Sequence, residues 1–518
     1  MEDIARGVRS FSIGTALSRV AGLVRESVFA LLFGAGLATD AFNVAFRIPN
    51  LLRDLFAETA LSAAFVPVLT AEKAKGKDFQ NRLASNILNV LFLVTGAVSL
   101  AGVFLAPVLA KGIAFGFSKV PGKIDLTADL TAVLFPFLLF ISLGAWAMSY
   151  LNTEKSFFLP SLAPGVFNLS SILVPVLTFG WYVSRGKEPI FGMAVGVLVG
   201  GLMQFLVQLP LALRKGFRYR SVLSFRDAGF RRVMALFIPV AIGLAGPRIN
   251  VLVNTILVTP LREGSVSWLT YAFRIMHVPL GLFGVAVGTV SLPAFSRLVV
   301  ENRLDAVRST LADSLKMVLF LTVPTSVLIA VLARPITRVV YQRGQFAAED
   351  TIATAGVLVL YMIGVPFMSA LRNLASVFYA CKDARTPMFA SLVSVAFTIA
   401  LNVSLVNALG LTIFPLSTSL AAVLNVGILF ARLPKKTGGF DAGPVVRYAL
   451  ALAGAALAGG GTAWGLHGLF VRLAGTAFGP TLASVFVSGG AGLLVFYALS
   501  LVLGKGESKV FLKRFLRR

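Results

Sequence analysis

Apolar runs long enough to form membrane-spanning helices recur along this chain, from Phe11 to near Leu503. A transmembrane helix needs roughly 20 apolar residues to cross the hydrocarbon core of a bilayer. Only 13% of the residues are charged and 57% are hydrophobic, whereas soluble domains carry about 25% charged residues. Because no soluble core could bury so much apolar surface, the pattern predicts a polytopic membrane protein.

The apolar runs favour helices over strands. A helix satisfies its own backbone hydrogen bonds in lipid, and these runs are far too long for the alternating strands of a membrane barrel. The sequence therefore predicts an all-α protein of fourteen transmembrane helices. They are expected near residues 10–36, 40–70, 83–110, 127–151, 159–183, 189–213, 231–260, 266–296, 312–342, 350–380, 387–408, 411–431, 446–471 and 481–503.

An internal repeat relates two parts of the chain at an offset near 227 residues. The sequence AFRI at 45–48 returns at 272–275, and Tyr150, Lys155 and Pro160 match Tyr379, Lys382 and Pro387. Six spans fit within this offset, so both copies cross the membrane in the same sense. Parallel repeats around a central cavity are a transporter architecture. We predict an N-lobe (1–226), a C-lobe (227–434) and two further helices with a basic tail (435–518).

The formal net charge of +25 would also suit a nucleic-acid-binding protein. We reject that interpretation because the basic residues lie mostly between the apolar spans. Their bias towards one set of connections is the positive-inside pattern of membrane proteins and predicts that both termini are cytoplasmic.

Enzymatic signatures are missing from the sequence. Cys381 is the single cysteine, and His277 and His467 lie too far apart to suggest a metal site. The chain has no GxxxxGK[ST], HExxH or GxSxG motif. We therefore predict a transporter without a cofactor, driven by an ion gradient, the membrane potential or the substrate gradient.

Several charged residues lie inside the predicted spans. A charge at the bilayer centre costs at least ~2.5–3.5 kcal/mol, so such side chains normally face a protein interior or a watery cavity. The first span contains Ser18, Arg19, Arg25 and Glu26, the second contains Asp40, Arg47, Arg53, Asp54 and Glu58, and spans seven and eight add Arg248, Arg274 and His277.

Two interpretations fit these charges. Glu26, Asp54 and Glu58 suit structural or gating ion pairs, for example between Arg25 and Glu58. The arginines, however, outnumber the nearby acids, and the planar guanidinium fork suits phosphate oxygens. The surplus favours a cationic cavity for a phosphorylated or otherwise anionic substrate.

The same stretches carry a family resemblance. The sequence resembles the bacterial lipid II flippases, the MurJ/MviN group of the multidrug/oligosaccharide-lipid/polysaccharide (MOP) exporter superfamily. The stretches that carry it are SRVAGLVRE at 18–26, FGAGLATDAF at 33–42, FRIPNLLR at 46–53, FAE at 56–58, AFVP at 64–67, GSVSW at 264–268 and YAFR at 271–274.

The resemblance implies movement of an undecaprenyl-pyrophosphate-linked peptidoglycan precursor from the cytoplasmic to the periplasmic leaflet of the inner membrane by alternating access. Its partners would be lipid II, membrane lipids and other cell-wall synthesis proteins. The family's cavity arginines map onto Arg19, Arg25, Arg53 and Arg274, and Asp40 belongs to its functional residues. We add Ser18, Arg47, Asn50 and Ser267 as candidate substrate-binding residues from the same stretches.

The chain also departs from the family pattern. Asp54 stands where many relatives have a second basic residue. Asn254 and Asn402 align with acidic sodium-site residues of some relatives. These two asparagines are weak candidates for a cation site and argue against sodium coupling.

Other functions remain open at this stage. A flippase for another polyprenyl-linked oligosaccharide would need a similar cationic cavity, whereas a multidrug or cation antiporter of the same superfamily should prefer acidic residues. A membrane glycosyltransferase would need a metal-binding acidic pair or a catalytic base in a sizeable loop, and the loops here are short. A scaffold without transport would leave the arginines inside the spans without a role.

Overall fold

The computed structural model describes residues 2–56 and 59–503, and this part of the chain is α-helical without a strand. Each predicted span coincides with one helix or with consecutive helices. Nine helical segments of the described residues are long and apolar enough to cross a membrane. The prediction of an all-α polytopic membrane protein is therefore confirmed. The helices α1 (Glu2–Phe33) and α2 (Leu37–Phe56), which carry most of the candidate site residues, are not among these nine, and both contain several charged side chains.

Contacts group the described residues into two compact units. Unit 1 comprises the described part of Met1–Ser267 together with Gly344–Phe346. In it, α1 packs along α7, α7 along α8, and α2 along α5. After α1 and α2, its helices are α3 (Thr59–Lys75), α4 (Lys77–Ile113), α5 (Lys123–Leu134), α6 (Phe137–Thr153), α7 (Phe158–Ser184), α8 (Ile190–Leu206), α9 (Leu209–Arg214) and α10 (Ala228–Val258).

Unit 2 comprises Trp268–Arg343 and the described part of Ala347–Arg518. Its core gathers fully buried side chains such as Leu311, Leu374 and Phe378. The first residues of α11 belong to unit 1 and the rest to unit 2. The helices are α11 (Ser265–Pro279), α12 (Val285–Val300), α13 (Leu304–Val331), α14 (Ala333–Tyr341), α15 (Ala348–Ala380), α16 (Arg385–Leu409), α17 (Ile413–Arg432), α18 (Pro434–Thr437), α19 (Gly443–Ala474) and α20 (Phe478–Leu503).

Some predicted spans are interrupted. The span predicted at 266–296 contains a π-helical turn, Leu280–Gly284, directly after Pro279. Proline lacks the N–H that would continue the helical ladder, and a π-turn is one way in which a helix absorbs the break. The span predicted at 40–70 comprises α2 and α3, with residues 57–58 outside the described chain.

The internal repeat has a conformational counterpart. Lys155 and Lys382, matched in the sequence, both adopt left-handed backbone conformations, with φ of 55° and 57°. Non-glycine residues adopt positive φ in only a few per cent of cases. The two lysines follow α6 and α15, so the helix ends repeat as well as the residues.

Glu154, just after α6, holds three helix ends of unit 1 together. Its carboxylate accepts hydrogen bonds from Lys73 Nζ at 2.7 Å, Lys77 Nζ at 2.8 Å and Gln80 Nε2 at 2.7 Å. Burial raises the pKa of Glu154, but these hydrogen bonds outweigh burial and set the pKa below its ordinary value. The ionised form therefore ties α3 and α4 to the end of α6.

We expect Glu154→Gln to destabilise the protein by about 2 kcal/mol, because it weakens two hydrogen bonds between charged groups. The stabilisation by a carboxylate with a lowered pKa is complete above the ordinary pKa of about 4.3 and is lost as the pH falls through the lowered value. In detergent, the unfolding temperature of the wild type should thus exceed that of the variant at pH 7, and this difference should disappear below about pH 4. Glu301→Gln, which removes an exposed pair with Arg297, is the control and should have little effect. Equal unfolding temperatures for wild type and Glu154→Gln at pH 7 would contradict this role.

Candidate functional site

Arg25 and Glu26 form an ion pair between neighbours on α1. Nε and Nη2 of Arg25 donate to Oε1 of Glu26 at 3.1 and 2.6 Å. The guanidinium also lies 5.5 Å from the centroid of the Phe167 ring on α7. Glu58, the alternative partner considered for Arg25, lies outside the described residues. Glu26 is thus a counter-ion of Arg25, and its predicted structural or gating role stays a prediction.

Ser18 and Arg19 occupy the preceding turns of α1. Ser18 is buried, and its backbone carbonyl accepts a hydrogen bond from Nδ2 of Asn168 at 3.1 Å. Arg19, next along the helix, is exposed. The contact between α1 and α7 therefore fixes the backbone at Ser18 and leaves the Arg19 side chain at the surface of unit 1.

Asp54 is shared by two arginines. Its Oδ1 lies 3.1 Å from Nη2 of Arg53 on α2, and its Oδ2 lies 2.9 Å from Nη1 of Arg248 on α10. Asp54 is buried, Arg53 is half-buried and Arg248 is exposed. The three formal charges sum to one net positive charge. The clamp joins α2 to α10 and keeps two guanidinium groups beside one another.

Asp40 lies in a fully enclosed cluster at the start of α2. Its Oδ1 accepts from the backbone N and the Oγ of Ser267 at 3.0 and 2.7 Å. Its Oδ2 accepts from Gly264 N at 2.8 Å and Lys123 Nζ at 3.1 Å. Asp40 and Lys123 are 1% and 2% exposed. Donors of the protein itself therefore occupy both carboxylate oxygens.

This cluster brings two predicted site residues together, Asp40 and Ser267. Asn43 Nδ2 also donates to Ser267 Oγ at 3.3 Å. Asp40 and Ser267 bind each other, and this contact holds α2 against the start of α11. Their predicted contact with a substrate stays a prediction.

Sequence reasoning missed Lys123, because this residue falls in the loop between the third and fourth predicted spans. In the structure Lys123 begins α5, and its Nζ lies 4.2 Å from the centroid of the Phe117 ring. A signal was present in the sequence, since an acid at the end of an apolar span needs a cation at a similar depth. Lys111, Lys119 and Lys123 all lie between the third and fourth predicted spans, and the structure pairs Lys123 with Asp40.

The remaining candidates lie on α2 and α11. Arg47 and Asn50 on α2 are half-buried. Arg274 on α11 is half-buried and belongs to unit 2, and its predicted part in a site with the arginines of unit 1 stays a prediction. His277 is exposed, with Nδ1 2.9 Å from the carbonyl oxygen of Phe273 one turn earlier. This contact lies within α11 itself.

The candidate cation ligands belong to different units. Asn254 is half-buried on α10 in unit 1, and Asn402 is fully buried on α16 in unit 2. Across residues 2–56 and 59–503, no group of three or more His, Cys, Asp or Glu side chains could hold a metal ion. A cation site at these asparagines stays a prediction.

We expect Lys123→Met to destabilise the protein by about 3–5 kcal/mol, because it leaves the Asp40 carboxylate buried without a cation. Lys119→Met is the matched control, since Lys119 is an exposed lysine four residues earlier. The double variant Asp40→Asn/Lys123→Met should unfold at a higher temperature than Lys123→Met alone, because it removes the buried charge. If Lys123→Met unfolds no earlier than Lys119→Met, the pair does not stabilise the fold.

Comparisons with known proteins identify the family of this chain. Residues 29–482 match the family model described as lipid II flippase MurJ. A probable lipid II flippase MurJ of Vibrio cholerae is 35% identical over 512 residues, covering 95% of this chain and 94% of the relative. The lipid II flippase MurJ of Burkholderia cenocepacia is 35% identical, covering 88% of each chain.

Solved structures give the same result. A lipid II flippase MurJ in an inward closed conformation aligns with a TM-score of 0.77 and 27% identity, covering 96% of this chain and 98% of that one. An inward-facing multidrug transporter of the MATE family aligns with a TM-score of 0.65 at 12% identity, covering 83% of this chain and 98% of that one, and shares the fold alone. The family model and the relatives both cover most of the sequence, and the chain therefore belongs to the MurJ family of lipid II flippases.

Proposed function

We propose that this protein moves lipid II, the undecaprenyl-pyrophosphate-linked disaccharide-pentapeptide, from the cytoplasmic to the periplasmic leaflet of the bacterial inner membrane. The lipid II flippases to which it belongs are named for this substrate. The observation in this chain that carries the proposal is the arginine-rich set on α1, α2 and α10. The bias of basic residues supports cytoplasmic positions for both termini.

The arginine set supplies the charge that a diphosphate requires. Five arginines in the interior of these helices outnumber the nearby carboxylates of Glu26, Asp54 and Glu58 in the sequence. The carboxylate of Asp40 is already paired with Lys123. The five are Arg19, Arg25, Arg47, Arg53 and Arg248. A guanidinium offers a rigid fork of donors to phosphate oxygens, and such bonds between charged groups are roughly twice as strong as neutral hydrogen bonds.

The carboxylates suit reversible binding. Glu26 and Asp54 hold Arg25 and the Arg53–Arg248 pair in defined positions in the absence of substrate. A diphosphate that reaches these arginines would take over some of the donors that now bind carboxylate. Its departure would return them to Glu26 and Asp54, so the guanidinium groups of Arg25, Arg53 and Arg248 have an anion beside them at both stages.

The transport step in this proposal is alternating access. The headgroup binds the arginines from the cytoplasmic side, the polyprenyl tail stays in hydrocarbon, and a conformational change exposes the headgroup to the periplasm. A membrane potential negative inside favours outward movement of each anionic charge by at most ~2.3 kcal/mol per 100 mV. The proposal requires no resident cofactor, and it leaves an ion gradient as an additional driving force.

We expect Arg53→Ala and Arg25→Ala to reduce lipid II translocation at least tenfold, because each removes a guanidinium fork from the set. Arg53→Lys should retain part of the activity, since a lysine keeps the charge and loses the bidentate geometry. The measurement is the accessibility of labelled lipid II at the periplasmic face of cells depleted of their own flippase and complemented with each variant.

Arg472→Ala is the control for this experiment, because Arg472 is an exposed arginine at the end of α19, outside the predicted site. Its translocation should equal that of the wild type. Protein level in the membrane and unfolding temperature must match across the variants. Wild-type translocation by both Arg25→Ala and Arg53→Ala would refute the cationic-site proposal.

A further inference from the structure

The connection between α9 and α10 forms an extended strap, residues 216–226, along the first turns of α4. The strap backbone binds a row of polar side chains on that helix. Asn81 Nδ2 donates to Gly216 O at 3.1 Å, and Asn89 Nδ2 donates to Val222 O at 2.8 Å. Asn86 exchanges two hydrogen bonds of 2.8 Å with the backbone of Ser224. The spacing of these asparagines places them on one face of α4.

An aromatic side chain fixes the start of the strap. Phe217 is buried, with its ring 4.8 Å from that of Trp146 and 5.4 Å from that of Tyr150, centroid to centroid. Trp146 is itself held by a 2.9 Å hydrogen bond from Nε1 to Ala84 O on α4. These contacts hold the strap in a defined position against α4 and α6 of unit 1.

The exposed side chains of the strap are aromatic, aliphatic and basic. Tyr219, Leu223 and Phe225 are 57%, 51% and 58% exposed. Two of them are also anchored, since the Tyr219 hydroxyl donates to Asn89 Oδ1 at 3.1 Å and the Phe225 ring lies 5.7 Å from that of Phe230.

Residues 214–226 contain five basic residues and no acid. Among the described residues, Asp78 pairs with Arg220, and no ion pair involves the other four. These four are Arg214, Lys215, Arg218 and Arg226.

The length of α4 places the strap at the membrane boundary. This helix has 37 residues and is therefore about 55 Å long at 1.5 Å per residue, whereas the hydrocarbon core is about 30 Å thick. Its uncharged stretch is 83–110, and the polar residues that bind the strap, from Asn81 to Asn89, lie at the N-terminal end of it. A hydrocarbon core about 30 Å thick that ends at Lys111 begins about 20 residues earlier, so the strap lies level with the headgroups.

We propose that the strap is a binding surface for anionic phospholipid headgroups. The phosphates of the bilayer surface complement Arg218 and Arg226, while Tyr219, Leu223 and Phe225 enter the interfacial layer. Aromatic side chains are enriched at this depth, and basic residues near an anionic surface each contribute about 1 kcal/mol of attraction. The surface is separate from the arginine set of α1, α2 and α10, and the proposal does not depend on the transported substrate.

The single cysteine of the chain allows a site-specific test. In a Cys381→Ala background, Ser221→Cys places a label at an exposed strap position. An environment-sensitive fluorophore there reports entry into the interface. The full chain is reconstituted in nanodiscs of phosphatidylcholine or of phosphatidylcholine with phosphatidylglycerol, both free of lipid II, so that any response comes from phospholipid.

We expect a blue-shifted emission in phosphatidylglycerol discs that weakens in 0.5 M salt, because salt screens exposed charges within roughly 4 Å at that concentration. Arg218→Gln/Arg226→Gln should lower the apparent affinity for phosphatidylglycerol roughly 30-fold, from about fivefold per arginine. Lys111→Gln/Lys187→Gln, the matched loss of two exposed charges elsewhere, should leave the response unchanged.

Two outcomes would overturn the proposal. One is equal emission in the two kinds of disc, and the other is an equal loss of response in the strap variant and the control variant. Unfolding temperatures in phosphatidylcholine discs establish that the variants fold. A shift that requires an added acidic protein would assign the strap to a protein partner and would also overturn the proposal.

Discussion

The structure depends on the cost of placing charges within apolar helices. A carboxylate removed from water is strongly destabilising unless a cation and hydrogen-bond donors surround it. Asp40 illustrates the condition, since four donors including Lys123 occupy its two oxygens. Asp54 meets it with Arg53 and Arg248 on two different helices. The two acids therefore tie α2 to α5, to α10 and to the start of α11, and they hold Arg53 and Arg248 in defined positions.

The fold could be predicted from the sequence because its main signal is local. Apolar length alone decides that a segment crosses a membrane as a helix, and each predicted span falls on one or more helices. The internal repeat could also be identified from the sequence, and Lys155 and Lys382, which it matches, both adopt left-handed backbone conformations. The interruptions were less predictable, since the π-turn after Pro279 depends on the packing of that helix as well as on the proline.

The pairing within the candidate site could not be predicted in the same way. The arginines and acids were identifiable by type and approximate depth, but a pair forms only if helix rotation brings both side chains to one point. Arg25 is paired with the adjacent Glu26 in the structure, and its pairing with Glu58, which lies outside the described residues, stays a prediction. Lys123 falls between two predicted spans, although it is 2% exposed and begins α5. Apolar runs predict approximate depth, whereas tertiary contacts decide which side chains meet.

The two groups of basic residues also differ in what their surroundings allow. Arg25 and Arg53 are half-buried beside carboxylates that hold their geometry, an arrangement suited to binding and releasing one defined anion. Arg218 and Arg226 are exposed on an extended segment, and no carboxylate among the described residues pairs with them. Such side chains attract many headgroups weakly and none in a fixed position. Burial and counter-ions, rather than charge alone, therefore distinguish the proposed transport site from the proposed membrane-contact surface in a chain with a net charge of +25.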